Sequence, residues 1–342
     1  MPSRIPSYPG SILVERAQLK LEEAGTGIES ARAATQAMLH ASRLGIDSHG
    51  FHLTSAYCRM IHSGQVKPRP EMKVTRTGPA TAMIDAGHGL GHHPSYTAIE
   101  IVCEMAKEAG IGAAGVFGSS HNGAAGTYAL AGAEAGFIAL SSTNASSAVT
   151  LHGSKAPFHG TNPIAAAAPV PNSRPWLLDM ATSSVPLNRV FLFRTLGKEL
   201  PPNVAAAKAG APTTDPSAAD MLLPLGGADF GFKGAGLAGL VTVLCAALTG
   251  GTPDCHMARM SGAKTSAYRN AGHFFLAIDP ARFAGATEFA QTMITYLAAL
   301  REVPAKEGAA VLAPGDREWA VAGERDATGI PIDPETAAFL GL

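Results

Sequence analysis

The sequence predicts an α/β protein that is not a sequential Rossmann domain, and three observations carry that reading. Helix-like and strand-like segments alternate along the 342 residues, the pattern of layered α/β architecture. The short runs Gly112–Phe117, Phe137–Asn144 and Trp176–Met180 read as fully buried strands. The literal GxGxxG, Gly110 to Gly115, follows a helix and opens a strand. A dinucleotide turn needs the reverse order, strand and then helix, so this one reads as a helix C-cap and turn.

Residues 11–45 read as helical, with Ile12, Leu13, Leu19, Leu21 and Ala24, then Ala34, Met38, Leu39 and Leu44, at helix-like spacing. A second helix covers Thr54–Ser63 and closes at Gly64. Met72–Ile84 has strand character, and Pro94 opens a helix that runs through Ala109. Ser154–Pro171, rich in Gly, Pro and Ala, is expected to wind over a ligand site. Ala205–Pro224 reads as a turn-rich excursion and Gly234–Leu248 as a buried helix. Phe274–Ile278 is a late strand and Pro280–Leu300 a long helix. The tail, Pro304–Leu342, carries turns and a short terminal helix.

Composition narrows the function. Hydrophobic residues make up 46% of the chain and charged residues 15%, enough for a sizeable core. A net charge of −1 creates no field that recruits nucleic acid or anionic membrane, so neither is an expected partner. Cys58, Cys103, Cys245 and Cys255 are widely spaced without a CxxC pair, against a disulfide framework. Without HExxH or clustered cysteines, no metal site is expected. Met1–Pro6 lacks the apolar core of a signal peptide, and Gly236–Gly250 is too short and too Gly/Ala-rich to span a bilayer. A cytoplasmic protein is the expectation.

Three constellations carry chemistry. In Gly115–Tyr128, His121 stands at a strand end, and Asn122, Gly123, Ala124 and Ala125 lead into a helix of small residues. Unpaired N–H groups at a helix start attract an anion, and small residues let a ligand approach the backbone. In Leu44–His52, Ser48 precedes His49, where a hydroxyl beside an imidazole relays or polarises a proton. The same stretch equally reads as a helix break in which Asp47 or Ser48 caps the next helix. In Pro224–Leu237, Lys233 stands among glycines at the expected start of the Gly234–Leu248 helix, a second anion site. Thr161 and Asn162 sit in a polar turn before Pro163.

In this order the motifs resemble the malate/L-lactate dehydrogenase family of NAD(P)-dependent oxidoreductases, which is distinct from the Rossmann-type lactate and malate dehydrogenases. The matching residues are Gly45–Gly50, Asp85 with Gly89–Gly91, Ser120–Gly126, Thr143–Asn144, Gly160–Pro163, Asp179–Ser183 and Pro212–Pro216. Lys233–Gly234, Gly272–Phe275 and Pro314–Glu318 complete them. The resemblance implies a non-Rossmann cofactor domain, residues 73–279, with a large mixed sheet flanked by helices. It implies a helical, substrate-side domain from residues 1–72 and 280–342, and a homodimer. NAD or NADP is the implied cofactor, along His121–Ala125, Asp179, Met180, Ala181, Lys233, Gly315 and Asp316. Ser48, His49 and His121 are implied around the carbon receiving hydride, with Thr161 and Tyr57 near a small carboxylate substrate.

Two positions depart from the family. Its common Arg five residues after the motif serine is Leu53 here, with His52 as a weaker substitute. The Asp that completes a Ser-His relay in the imino acid reductases of the family is Arg189, a candidate carboxylate anchor. The expected reaction is reversible hydride transfer to the 2-carbon of a 2-oxo acid, with His121 as acid/base and His49, supported by Ser48, polarising the oxygen. The alternatives are reduction of a cyclic imino acid, and nucleotide binding without turnover.

Overall fold

Glycines decide where the N-terminal helices break. After a short strand, β1 (Ser7–Tyr8), the stretch read as one helical segment forms two helices, α1 (Gly10–Glu23) and α2 (Ile28–Arg43). Gly25, at φ +100°, turns the chain between them, a conformation that costs any other residue dearly. The computed structural model describes residues 5–260 and 267–342, so the first four residues, part of the segment lacking signal-peptide character, lie outside the described residues. Two single 3-10 turns, Asp47–His49 and Phe51–Leu53, lead into α3 (Thr54–His62). The expected strand over 72–84 is a hairpin of β2 (Lys73–Gly78) and β3 (Thr81–Asp85), because Pro79 has no N–H for a continuous ladder.

Next, α4 (His92–Ala109) ends at Gly110, which takes the left-handed C-cap at φ +83°, and β4 (Ile111–Ser119) begins at once. The GxGxxG is therefore a helix end and a strand. α5 (Gly126–Glu134) and β5 (Ile138–Thr143) follow. The Ser154–Pro171 segment is not simply a loop. After β6 (Val149–Thr150) come β7 (Pro157–His159) and β8 (Ile164–Ala168), and β8 is an interior strand. Alanine has weak strand preference; here Ala165 and Ala167 are fully buried in a cluster with Ala129 and Ala133 of α5, a tight fit that small side chains allow.

β9 (Trp176–Met180) and α6 (Leu187–Thr195) lead to a second correction. The Ala205–Pro224 excursion contains β10 (Ala205–Ala207), β11 (Pro212–Thr213) and β12 (Ala219–Leu222), which join β6 and β7 in a five-stranded sheet. A third concerns α7 (Gly227–Thr242), which starts seven residues before the predicted helix because left-handed Gly226 caps it there. It continues as a π turn, Val243–Ala247, and is not wholly buried: Leu240, Val243 and Leu248 are half or more exposed. After β13 (Ala271–Ile278), the expected long helix is split into a 3-10 turn at Pro280–Arg282 and α8 (Ala286–Arg301), with Gly285 between them at φ +96°. α9 (Asp316–Thr328), β14 (Ile330–Pro331) and α10 (Pro334–Leu340) end the chain.

The large sheet has seven strands in the order β2-β3-β4-β13-β5-β8-β9, with β3 and β4 parallel and every other pair antiparallel. The late strand β13 thus lies in the middle, between β4 and β5. Tyr128, Val102 and Phe275 fill one core against this sheet. Leu13, Leu21, Met38, Phe51 and Tyr57 fill another, which Ile330 and Leu340 of the tail complete. A third cluster joins Leu44, Ala129, Ala165, Leu177 and Ala322, and so ties the helices to the sheet beside the site.

Candidate functional site

The site is assembled where α2 breaks and β4 ends. Gly45, at φ +77°, stops α2 and starts the 3-10 turn that carries Ser48 and His49. Arg325 of α9 holds that turn through a forked pair of bonds to Asp47, at 2.5 and 2.9 Å, geometry that fixes a carboxylate's orientation as well as its charge. Ser48 Oγ lies 2.9 Å from His49 Nδ1. His121, two residues beyond β4, faces this turn. The His49 and His121 rings stack with centroids 5.5 Å apart and planes at 17°.

His121 is oriented from behind. The Tyr57 hydroxyl of α3 lies 2.8 Å from its Nδ1, and the Gly123 N–H donates to the same nitrogen at 3.3 Å. The hydroxyl can serve either tautomer: it accepts from Nδ1 when that nitrogen carries the proton, and donates to it when it does not. Burial sets the charge state. It pushes His121 well below the ordinary histidine value of 6.5, with His49, His92, Arg269 and His273 adding to the effect. Burial lowers His49 to about 4, with help from His52, and it lowers His52 as well. Both stacked imidazoles are therefore neutral near pH 7, poised to accept a proton and to give it up.

A cavity of ≈1650 Å³ opens in front of this pair. Its wall includes Ser48, His49, His52, His121, Gly123, Ala124, Ala125, Thr161, Asp179, Met180, Ala181, Arg189 and Gly315 among the residues singled out from the sequence. Four others are placed differently. Tyr57 is fully buried and reaches the cavity only through His121. Asn122 is also buried, its amide donating to Ser95 Oγ at 3.1 Å. Asp316 caps its own turn through Ala313 N and pairs with Arg301 at 2.6 Å. Lys233 is exposed inside α7, its ammonium 5.5 Å from the Phe230 ring, and is not part of the cavity wall. The physical reason is the earlier start of α7, which removes Lys233 from the helix terminus where an anion would gather.

The helix start after His121 was expected to hold a foreign anion. It holds one of the chain's own: Gly126 N–H donates to Asp179 Oδ2 at 2.9 Å. Burial raises the Asp179 carboxyl to about 6, opposed by that bond and reinforced by Glu318. A Cβ on Gly126 would stand 2.6 Å from Asp179 Oδ2 and 2.9 Å from its Cβ. Gly126→Ala is therefore expected to lose about 1–3 kcal/mol of stability, the usual cost of overpacking, as read from denaturant unfolding. An unchanged midpoint would show that Asp179 can step aside.

Arg317 lies on the cavity wall too, within the 314–318 turn that the resemblance places along the dinucleotide. Sequence reasoning missed Arg59, Gln65, Met260 and Leu312, which also line the cavity. They come from helix faces and connections without a local signature. His92 and Arg269 were missed as well. His92 is fully buried with neither ring nitrogen bonded among the described residues, and its ring meets Tyr57 edge-on at 5.0 Å.

Comparison with known proteins identifies the family. The family model for malate/L-lactate dehydrogenase matches residues 11–340. A malate dehydrogenase of Pyrococcus abyssi is 38% identical over 292 residues, covering 84% of this chain and 78% of that protein. A (2R)-3-sulfolactate dehydrogenase (NADP(+)) of Chromohalobacter salexigens is 34% identical over 265 residues, 77% of this chain and 78% of that one. Among solved structures, a Δ1-piperideine-2-carboxylate reductase from Pseudomonas syringae superposes with a TM-score of 0.88 at 29% identity, covering 98% of both chains. With a family model matched from its first helix to its last and the two histidines brought together at one cavity, the chain belongs to the malate/L-lactate dehydrogenase family of oxidoreductases.

Proposed function

We propose that the chain transfers hydride between C4 of NAD or NADP and the 2-carbon of a small 2-hydroxy or 2-oxo acid. The observation that carries this reading is the stacked His49–His121 pair, neutral and backed by Ser48 and Tyr57, at the wall of the ≈1650 Å³ cavity. Single small-ligand sites span about 300–1,000 Å³, so this one has room for a dinucleotide beside a small acid. The wall suits such a ligand. Gly123, Ala124 and Ala125 offer backbone without bulk, and Gly315, at φ +96°, leaves only 3.2 Å between a hypothetical Cβ and Leu177 N. Gly123–Ala125, Asp179–Ala181 and Gly315 would hold the dinucleotide. When bound, the nicotinamide supplies hydride in reduction and accepts it in oxidation.

The chain's own part is proton handling. The protonated His121 ring gives its Nε2 proton to the substrate oxygen as negative charge develops there. That leaves a neutral ring whose remaining proton on Nδ1 is donated to Tyr57, and Nε2 takes the proton back in the reverse direction. The Tyr57 hydroxyl both donates and accepts, so it serves Nδ1 in either state of the ring. His49, held at Nδ1 by Ser48, polarises the same oxygen, and Thr161, also on the cavity wall, binds the acid. The same reading includes a homodimer, because Phe230, Phe232, Leu240, Val243 and Leu248 leave α7 with an uncovered apolar side that a second copy covers.

The likeness to the piperideine-carboxylate reductase favours one other reading, reduction of a cyclic imino acid. The test is a cofactor-oxidation screen with NADH and NADPH in parallel, against 2-oxo acids and against pyrroline- and piperideine-2-carboxylate. A 2-oxo acid is expected to have the highest kcat/KM. Preference for an imine would transfer the assignment to the second reading. Cofactor binding without turnover on either panel would leave a nucleotide-binding protein.

A further inference from the structure

One buried side chain carries a charge that nothing among the described residues answers. Arg269 is 4% exposed; its Nη2 reaches only Met257 Sδ, at 3.4 Å, and its Nε and Nη1 have no partner among the described residues. It belongs to none of the ion pairs among those residues. Residues 1–4 and 261–266, outside them, contain no Asp or Glu. A guanidinium cannot shed its proton to escape burial. Burial without a counter-ion is strongly unfavourable, so such a group is completed by an anion from elsewhere.

The sheet register places this charge at the chemistry. Ala271 of β13 pairs with Ser119 of β4 in antiparallel fashion, and Asn270 Oδ1 accepts the Gly118 N–H at 2.7 Å. Arg269 thus stands two residues before β13, and His121 two residues after the end of β4 that β13 pairs with. The two are close enough for the guanidinium to oppose protonation of His121, and it opposes that of His273 too. The anchors suggested by the sequence are weaker. Leu53 is apolar and buried, Arg189 is exposed and stacks on Phe193 at 5.4 Å, and His52 is held neutral.

We infer that Arg269 holds the substrate's carboxylate at the reacting end of the cavity and so sets the requirement for an anionic substrate. This rests on the proposed reading of a carboxylate-bearing substrate. It makes Arg269 the replacement for the cation missing at Leu53, supplied from the segment that leads into β13. The guanidinium fork matches a carboxylate with two parallel N–H bonds, which a lysine cannot reproduce.

The experiment uses the full chain with Arg269→Met and Arg269→Lys, oxalate as the carboxylate probe, and NADH and NADPH as cofactors. Oxalate affinity is read from thermal shift at saturating reduced cofactor, and cofactor affinity from nicotinamide fluorescence. The expected result is an oxalate affinity lower by about a hundredfold in Arg269→Met, the scale for removing one partner of a buried charge pair. Cofactor affinity stays at the wild-type value, and added guanidinium chloride restores part of the oxalate binding. Arg269→Lys falls between the two, and carries the test alone if the methionine variant does not fold. Wild-type oxalate affinity in the folded variants overturns the inference, as does an equal loss of cofactor affinity, which would give the guanidinium to the dinucleotide phosphates. If wild-type protein binds no oxalate and turns over no 2-oxo acid, the substrate reading itself fails.

Discussion

Replacing His121 by alanine is expected to lower turnover at least about a hundredfold, the lower end of what a positioned acid/base contributes, while nicotinamide affinity stays near wild type. The split follows from geometry. His121 meets the cavity through its ring, whereas the neighbouring wall at Gly123–Ala125 is backbone and methyl groups that the substitution leaves in place. The pH profile carries the same signature. Burial places the His121 titration well below 6.5. Oxidation needs the neutral ring and should therefore hold its kcat/KM down to below pH 6.5. Reduction needs the protonated ring and should rise steadily as pH falls across the same range. Near-normal turnover in His121→Ala, or an acid limb of oxidation centred above pH 7, would remove His121 from the mechanism.

The second large effect is on stability in mild acid. His92 and His273 are fully buried, and burial lowers each to about 3; His273 adds to the effect at His92, while at His273 a bond to the Ser120 backbone opposes it and Arg269 adds to it. Their folded values lie below the unfolded 6.5, so the stability they contribute is complete above pH 6.5 and is lost as pH falls toward the folded values. At pH 5 each imidazole favours the unfolded chain by about 2 kcal/mol. Asp179 has the opposite sign: its folded value, about 6, lies above the unfolded 3.8, so its protonation stabilises the native state as pH falls. It returns about 1.4 kcal/mol at pH 5. For these three groups together the loss between pH 7 and pH 5 is about 2–3 kcal/mol, and the buried His40, His49 and His121, also lowered, add to it in the same direction. Denaturant midpoints across that range would show it, and His92→Gln should flatten the slope. A flat profile in the wild-type chain would mean that water or a ligand reaches these rings.

Much of the fold was legible because its signals are local. The strand at Trp176–Met180 has the predicted bounds, and Gly110 ends its helix where the sequence said. The failures were also local in origin. Alanine runs such as Ala165–Ala168 have no strand signature, yet they form an interior strand because the helix above needs small residues beneath it. Lys233 was assigned to a helix start that lies at Gly227, because a glycine-rich segment of that length reads equally well as loop or helix.

By itself the sequence determined the α/β class, the two histidine motifs and the absence of a Rossmann turn, all properties of neighbouring residues. Only the tertiary structure decided which groups each of those residues faces. Tyr57 meets His121 across 64 positions, Asp179 meets Gly126 across 53, and Arg269 is brought to His121 by a strand inserted late between two earlier ones. Hydrophobic periodicity specifies which side of an element is buried, but it is silent on strand order and register. Those come from packing the whole sheet, and here they determine which groups share a proton and which charge is left for a ligand to meet.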